Sequence, residues 1–184
     1  WLPFTDAIGR GVGRLAAYED FLRKQPMPAE ILPAVSVGGS LLVLGIGYGL
    51  LLVLSIGQGV GPFLSWAWLP LLVLAQVVLT FGLTLVLSMA HFLWRDVGST
   101  VGFALQLGFY LTPIVYPLAQ VPERFHIWFL LNPVACLVLA VQSVVLHMPV
   151  PQGTAWALVL WVVLLGGGGW WFFRSMKPVL GEAL

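Results

Sequence analysis

The chain has 184 residues, of which 60% are hydrophobic and only 8% charged, with a formal net charge of +1 and a mean hydropathy of +0.99. A soluble domain carries about 25% charged residues, so the composition excludes one and specifies an integral membrane protein. The near-neutral charge and the lack of any basic run exclude a surface that tracks a nucleic-acid backbone.

Asp, Glu, Lys and Arg are absent from residues 31–94, 97–122 and 125–173, so the charges mark the ends of apolar segments. Residues 1–17 are apolar at the start and then carry Arg10 and Arg14, four apart and on one face of a helix. The chain opens in mid-pattern at Trp1-Leu2-Pro3-Phe4 without an initiator Met, so the expectation is a fragment whose first segment is the end of a truncated span. Residues 18–29 hold Glu19, Asp20, Arg23 and Lys24, then Pro26 and Pro28, and read as a short amphipathic helix stopped by proline.

Residues 31–56 form a first complete span, with glycines at 38, 39, 45, 47 and 49 that permit close helix packing in lipid. A tight turn is expected over 57–62, and Trp66 and Trp68 sit where an interfacial aromatic belt would. Residues 69–92 form a second span, ended by Trp94-Arg95-Asp96. Residues 97–116 form a third, closing on Tyr110-Leu-Thr-Pro-Ile-Val-Tyr-Pro117, where Pro113 and Pro117 should bend it. Two apolar pieces follow within 117–149, on either side of Asn132-Pro133. Each is too short to cross and too apolar for a solvated loop, which predicts an outward-facing re-entrant pair. The residue before proline avoids the α region, so Asn132-Pro133 makes the tip. Residues 154–173 form the last span, ended by Arg174 and Lys177.

One set of ends carries Arg23, Lys24, Arg95, Arg174 and Lys177, the other only Arg124. The positive-inside rule places the first set in the cytoplasm, and alternation of the spans gives the same orientation. Non-helical backbone at membrane depth survives only against protein or beside a water-filled path, so the re-entrant pair points to a translocation route rather than an anchor.

The chemistry-bearing residues allow two readings each. Residues 18–28 are either a helix that docks on a partner, with Phe21 and Leu22 as apolar anchor and the charges as rim, or a solvated connection. Arg10 either lines a polar conduit or snorkels to the headgroups; for Arg14 snorkelling is favoured. Asp96 is expected to cap the next helix while Arg95 anchors at the headgroups. Tyr110, Tyr116, Phe125, Trp128 and Phe129 form an aromatic outer region that suits an interfacial belt, and also sugar rings by stacking. Gly166 to Gly169 favour close packing on a neighbouring helix. Cys136, the one cysteine, is expected as a small packed side chain. His91, His126 and His147 are scattered singly, and no metal-ligand spacing or paired carboxylate is present.

Met27-Pro28-Ala29-Glu30-Ile31-Leu32-Pro33 resembles the Phe-Pro-x-Glu-Ile-Leu-Pro signature of permease subunits of type-2 ABC exporters. Arg95-Asp96, the 110–117 motif, Val121-Pro122-Glu123-Arg124, Leu131-Asn132-Pro133 and Phe172-Phe173-Arg174 match in order, and the branch they resemble exports lipid-linked polysaccharides such as O-antigen, capsule and teichoic acid. Met27 stands for the usual Phe, Tyr18 where the family often has Asn, and Pro26 is an extra breaker.

The resemblance implies an all-α polytopic bundle of six membrane helices per subunit, from which this chain lacks the interfacial helix, the first span and part of the second. It makes residues 18–29 a cytoplasmic coupling helix that docks on a separate ABC ATPase, with Tyr18, Glu19, Asp20, Phe21, Leu22, Arg23, Lys24, Pro28 and Glu30 at the contact. It also implies a homodimer around one conduit, a lipid-linked glycan substrate, the bacterial inner membrane, and ATP with magnesium on the partner, none on this chain. The conduit or exit residues expected are Phe4, Arg10, Tyr110, Tyr116, Trp128 and Asn132. Two other readings compete: an ABC exporter of drugs or smaller lipids, and a membrane-embedded enzyme acting on polyprenyl phosphates. The second needs clustered acidic or His residues that the sequence does not supply.

Overall fold

The computed structural model describes residues 1–24, 27–60 and 64–183. Among these there is no strand, and the chain is an all-α polytopic membrane protein. Helix α1 spans Leu2–Val12 and breaks at Gly13; α2, Arg14–Ala17, and α3, Glu19–Lys24, are short pieces set off by Gly13 and Tyr18. The expected 18–29 helix is therefore only six residues in its described part. Pro26, read as one of its breakers, lies outside the described residues.

Helix α4, Ile31–Gly57, has 27 residues, about 40 Å at 1.5 Å per residue and long enough to cross a bilayer core of about 30 Å. Leu32, Ser36, Val37, Ser40 and Leu44 bury one stripe, while Leu42, Ile46, Leu50 and Val53 remain exposed. Gly59, at φ 78, and the bond from the Val60 N–H to the Ser55 carbonyl (2.9 Å) close the helix end; Gly61 and Pro62 of the expected turn lie outside the described residues. After a 3-10 turn, Leu64–Trp68, helix α5 spans Leu69–Leu93. It is the central post. In the stretch Leu64–Leu93, 44% of the most apolar window is buried, against 17% for α4 and for the last span. Its polar line Gln76, Thr80, Thr84 and Ser88 is buried. The three hydroxyls donate to carbonyls of their own helix: Thr80 to Gln76 (2.7 Å), Thr84 to Thr80 (2.6 Å) and Ser88 to Leu85 (3.0 Å). These small, internally bonded residues let helices approach: a Cβ on Gly11 of α1 would collide with Thr84.

Helix α6, Val97–Leu111, stops short of the expected 97–116 span. Its 15 residues reach about 22 Å, less than the bilayer core. Thr112 is extended (φ −104, ψ 135), as the residue before Pro113 must be, so Pro113 ends the helix rather than bending it. At its other end the Asp96 side chain makes no cap hydrogen bond, contrary to expectation. The Ser99 and Thr100 hydroxyls donate to the Asp96 carbonyl instead, and the Gly98 N–H donates to His91 Nδ1 (3.1 Å).

Beyond 3-10 turns at Leu118–Gln120 and Glu123–Phe125 come α7, His126–Leu130, and α8, Pro133–Leu146. The chain bends by 112° between Glu123–Leu130 and Pro133–Leu146, turning back past a right angle at the Asn132 corner. The far end of α8 returns beside the start of α5, where Ser65 Oγ donates to the Val144 carbonyl (2.9 Å). The last span, Thr154–Leu180, has 27 residues and lies within a continuous helical run of α9, Thr154–Trp161, a π segment, Val162–Gly167, and α10, Gly168–Ala183. It runs on past residue 173, so Arg174 and Lys177 ride on the helix. Where it crosses α5 the two backbones touch: a Cβ on Gly82 would collide with the Leu165 carbonyl, and one on Gly169 with the Gly82 carbonyl.

Candidate functional site

Helix α3 carries Glu19 and Asp20 in its first turn and Arg23 and Lys24 in its last, the charge order its dipole favours. Glu19 and Arg23 pair at 2.8 Å on the surface, worth at most about 0.5 kcal/mol. Phe21 and Leu22, expected as a joint apolar anchor, part company. Phe21 is 42% exposed, beside exposed Tyr18, whereas Leu22 is 9% exposed in a cluster with Leu15, Leu32, Leu85, Phe173 and Leu180. Leu22 thus belongs to the internal core and is not available to a partner. Pro28 is exposed.

Glu30 is also turned inward. Its Oε1 accepts from Lys177 Nζ at 2.8 Å, joining the start of α4 to α10. Burial acts to raise the Glu30 carboxyl, but the Lys177 hydrogen bond and the charges of Lys177 and Arg174 outweigh it and hold the group below the usual carboxylate range.

Of the conduit residues, Phe4 is buried with Ile8, Val12, Val101 and Val134. Arg10 is exposed and pairs with Asp6, one turn earlier on α1, while its guanidinium lies against Gly39. Gly39 is eight residues into α4, about 12 Å from that helix's start. Asp6 lies deeper still, because Trp1 at the head of α1 packs on Gly108 and Phe109 near the far end of α6. The Arg10 guanidinium thus lies along α4 beside Gly39, paired with Asp6.

Side chains around the 112–132 breaks hold the backbone together. Asn132 caps α8: its Oδ1 accepts from the N–H groups of Val134 (3.0 Å) and Ala135 (3.2 Å). Its Nδ2 donates to Thr112 Oγ1 (3.2 Å), at the stop of α6. Gln142 Nε2 donates to the Pro113 carbonyl (3.1 Å), and Trp161 Nε1 to the Leu130 carbonyl (2.9 Å). Carbonyls freed by the breaks are thereby satisfied without lipid contact. Tyr116 OH donates to the Tyr110 carbonyl (3.2 Å); Tyr110 and Trp128 are exposed.

The predicted site residues thus do not converge on one pocket. Tyr110 with Tyr116, Asn132 with Thr112, and Arg10 with Asp6 are separate pairs. A cavity of about 770 Å³ opens between α1, α4, α5, α6 and α8, lined by Phe4, Phe109 and Val138 and by the polar groups of Tyr48, Gln76 and Gln142; Tyr48 OH donates to Gln76 Oε1 (3.3 Å). Sequence reasoning missed Asp6, Thr112, Gln142, Trp161 and Lys177. The four-residue spacing of Asp6 and Arg10 was a usable signal. The others bond across long stretches of chain, with no local signature.

No protein-family model matches the chain. Among curated proteins it is similar to the O-antigen export system permease protein RfbA of Myxococcus xanthus, 29% identical over 155 residues, covering 83% of this chain and 60% of that protein. It is likewise similar to a permease protein of the same name from Klebsiella pneumoniae, 28% identical over 141 residues, covering 76% of this chain and 54% of that protein. A second Klebsiella pneumoniae relative of that name is 27% identical over 141 residues. The resemblance to O-antigen export permeases read from the motifs is thus shown over most of the chain, which spans little more than half the length of the curated relatives it matches.

Proposed function

We propose that this chain is a membrane-spanning permease subunit of an ATP-driven exporter that moves a lipid-linked polysaccharide of the O-antigen kind outward across the bacterial inner membrane. The observation that carries this reading is the likeness, over 83% of the chain, to a protein named as an O-antigen export permease. In this reading ATP and its magnesium are held by a separate ABC ATPase subunit, and two permease copies enclose one conduit. Closure of the ATPase dimer pushes on α3 and shifts the bundle between closed and conducting packings.

Three features of the geometry support the roles. Phe21 of the charged α3 and Tyr18 just before it are exposed, the kind of anchor a groove on a partner takes. The exposed Asp6–Arg10 pair lies on a helix packed deep along α4 and α5; a charged pair at that depth faces a polar path or a protein rather than lipid. Exposed Tyr110 and Trp128 on the outward side offer faces on which sugar rings stack.

The docking role is tested by Phe21→Asp in the full-length permease, with its co-purifying ATPase, in proteoliposomes. The loss of a central aromatic anchor is worth about 2 kcal/mol or more. Substrate-stimulated ATP hydrolysis should fall by more than about tenfold, while membrane insertion is retained. Unchanged stimulation refutes docking through α3.

A further inference from the structure

The start of α4 and the end of α10 are joined by chemistry that a simple connection between spans does not need. Glu30 and Lys177, 147 residues apart in sequence, meet at 2.8 Å. The Glu30 side chain is only 13% exposed. Its second carboxylate oxygen, Oε2, is buried and accepts no hydrogen bond among the described residues. Burying a carboxylate in this way is costly unless it is paired, so the geometry makes Lys177 the partner that holds Glu30 in place. Arg174, three residues before Lys177 on the same helix, adds positive charge nearby.

Beneath the ion pair, Leu22 of α3 is packed in one cluster with Leu32 of α4, Leu85 of α5, and Phe173 and Leu180 of α10. The side of α3 that carries Leu22 therefore packs against residues of α10 as well as of the span that follows it in sequence. Farther along, the same last helix contains the π segment Val162–Gly167. A π segment is a local departure from regular helix that often sits at functional positions.

We propose that Glu30 and Lys177 form a relay that carries displacement of α3 directly to the last membrane span, so that the last span moves with the coupling element and α4 is not its only outlet. The proposal rests on the exporter reading above. Glu30 and Lys177 are positioning residues: neither needs to touch ATP, the partner or the exported molecule. Closely packed interfaces shift between discrete arrangements rather than deform. A paired charge over an apolar cluster holds the two helix ends in register through such a shift.

The test is a charge exchange in the full-length permease, co-purified with its ATPase and reconstituted in proteoliposomes. The variants are Glu30→Lys, Lys177→Glu and the double exchange, with Glu30→Gln as a near-isosteric control that keeps the packing. Three quantities are read: ATPase retained on purification, thermal midpoint, and glycan exported per ATP hydrolysed. The relay predicts that each single variant, Glu30→Gln included, retains the ATPase but lowers export per ATP by about tenfold, and that the double exchange restores it to within about twofold. A purely structural clasp would lower the thermal midpoint and leave export per ATP unchanged in the protein that remains folded. Single variants that export as wild type overturn the relay, as does a double exchange no better than its parents. A wild-type permease that retains no ABC ATPase overturns the exporter reading itself, an outcome visible before any variant is made.

Discussion

A carbonyl released from its helix inside a bilayer has no water to turn to, and each one left unpaired costs several kcal/mol. Single side chains carry that burden here. Asn132 alone satisfies two backbone N–H groups at the head of α8 and reaches Thr112 at the stop of α6. Removing an Asn cap costs about 1–2 kcal/mol. Asn132→Ala should therefore lower the thermal unfolding midpoint of the detergent-solubilised protein, and Asn132→Ser, which keeps a cap acceptor, should recover most of the loss. An Asn132→Ala variant that unfolds at the wild-type temperature would show that the corner at α7 and α8 is held by packing alone. Leu22 and Phe21 make a related point at the same scale. Adjacent in sequence and similar in hydrophobicity, they look alike as a docking anchor. Only the cluster with Phe173 and Leu180, far along the chain, decides that Leu22 turns inward and Phe21 outward.

The element most dependent on its neighbours is the last span where it crosses α5. Gly82, Gly166 and Gly169 each lie so close to the facing helix that an added Cβ would meet backbone or the Val78 side chain, whereas Gly167 meets nothing within 4 Å. Overpacking such a contact costs about 1–3 kcal/mol, and replacing an unstrained helical Gly by Ala is neutral to stabilising by up to about 1 kcal/mol. Gly82→Ala should lower the thermal midpoint and Gly167→Ala should not. Equal shifts would argue that the two helices do not cross at van der Waals distance.

The spans α4 and α5 and the last helix were legible because charged residues mark one end of each apolar run and glycine and proline mark the other, at 57–62 and 149–153, and length against bilayer thickness does the rest. The close crossing was legible in kind from Gly166 to Gly169, but not which glycines make it. The stop of α6 was not legible. Pro113 signals a disturbance, but a bend and an end look alike in sequence. The outcome is an end, with Gln142 of α8 taking the Pro113 carbonyl. The short α3 was equally opaque, because six residues give too few turns for periodicity to assign a face.

For the whole molecule, orientation is the property on which every functional reading depends, and the charge argument for it requires that the basic residues share one end of the bundle, as the packing has it. The Glu30–Lys177 pair sets the start of α4 beside α10. The bond from the Gly98 N–H to His91 sets the start of α6 beside the end of α5. Leu85, Met89, Leu22 and Leu180 share one cluster. Arg23, Arg95, Arg174 and Lys177 are thereby brought to one end of the bundle, the end that the positive-inside rule places in the cytoplasm. At the opposite end, Ser65 before α5 holds the end of α8. Trp161, seven residues into the last span, holds the Leu130 carbonyl, so the corner at Asn132 lies about 10 Å below that end. The chain thus enters and leaves the corner from the same side.

This arrangement predicts a labelling pattern. In a Cys136→Ala background, single cysteines replace Trp128, which is 64% exposed, and Phe21, which is 42% exposed, and intact cells or spheroplasts are treated with a membrane-impermeant maleimide. Trp128→Cys should react from outside, and Phe21→Cys only after permeabilisation. Asn132→Cys, half-buried at the corner, should react from the outside but more slowly than Trp128→Cys. Reaction of Trp128→Cys from the cytosol alone would invert the bundle, put α3 on the side without ATP, and remove the basis for an ATP-driven exporter.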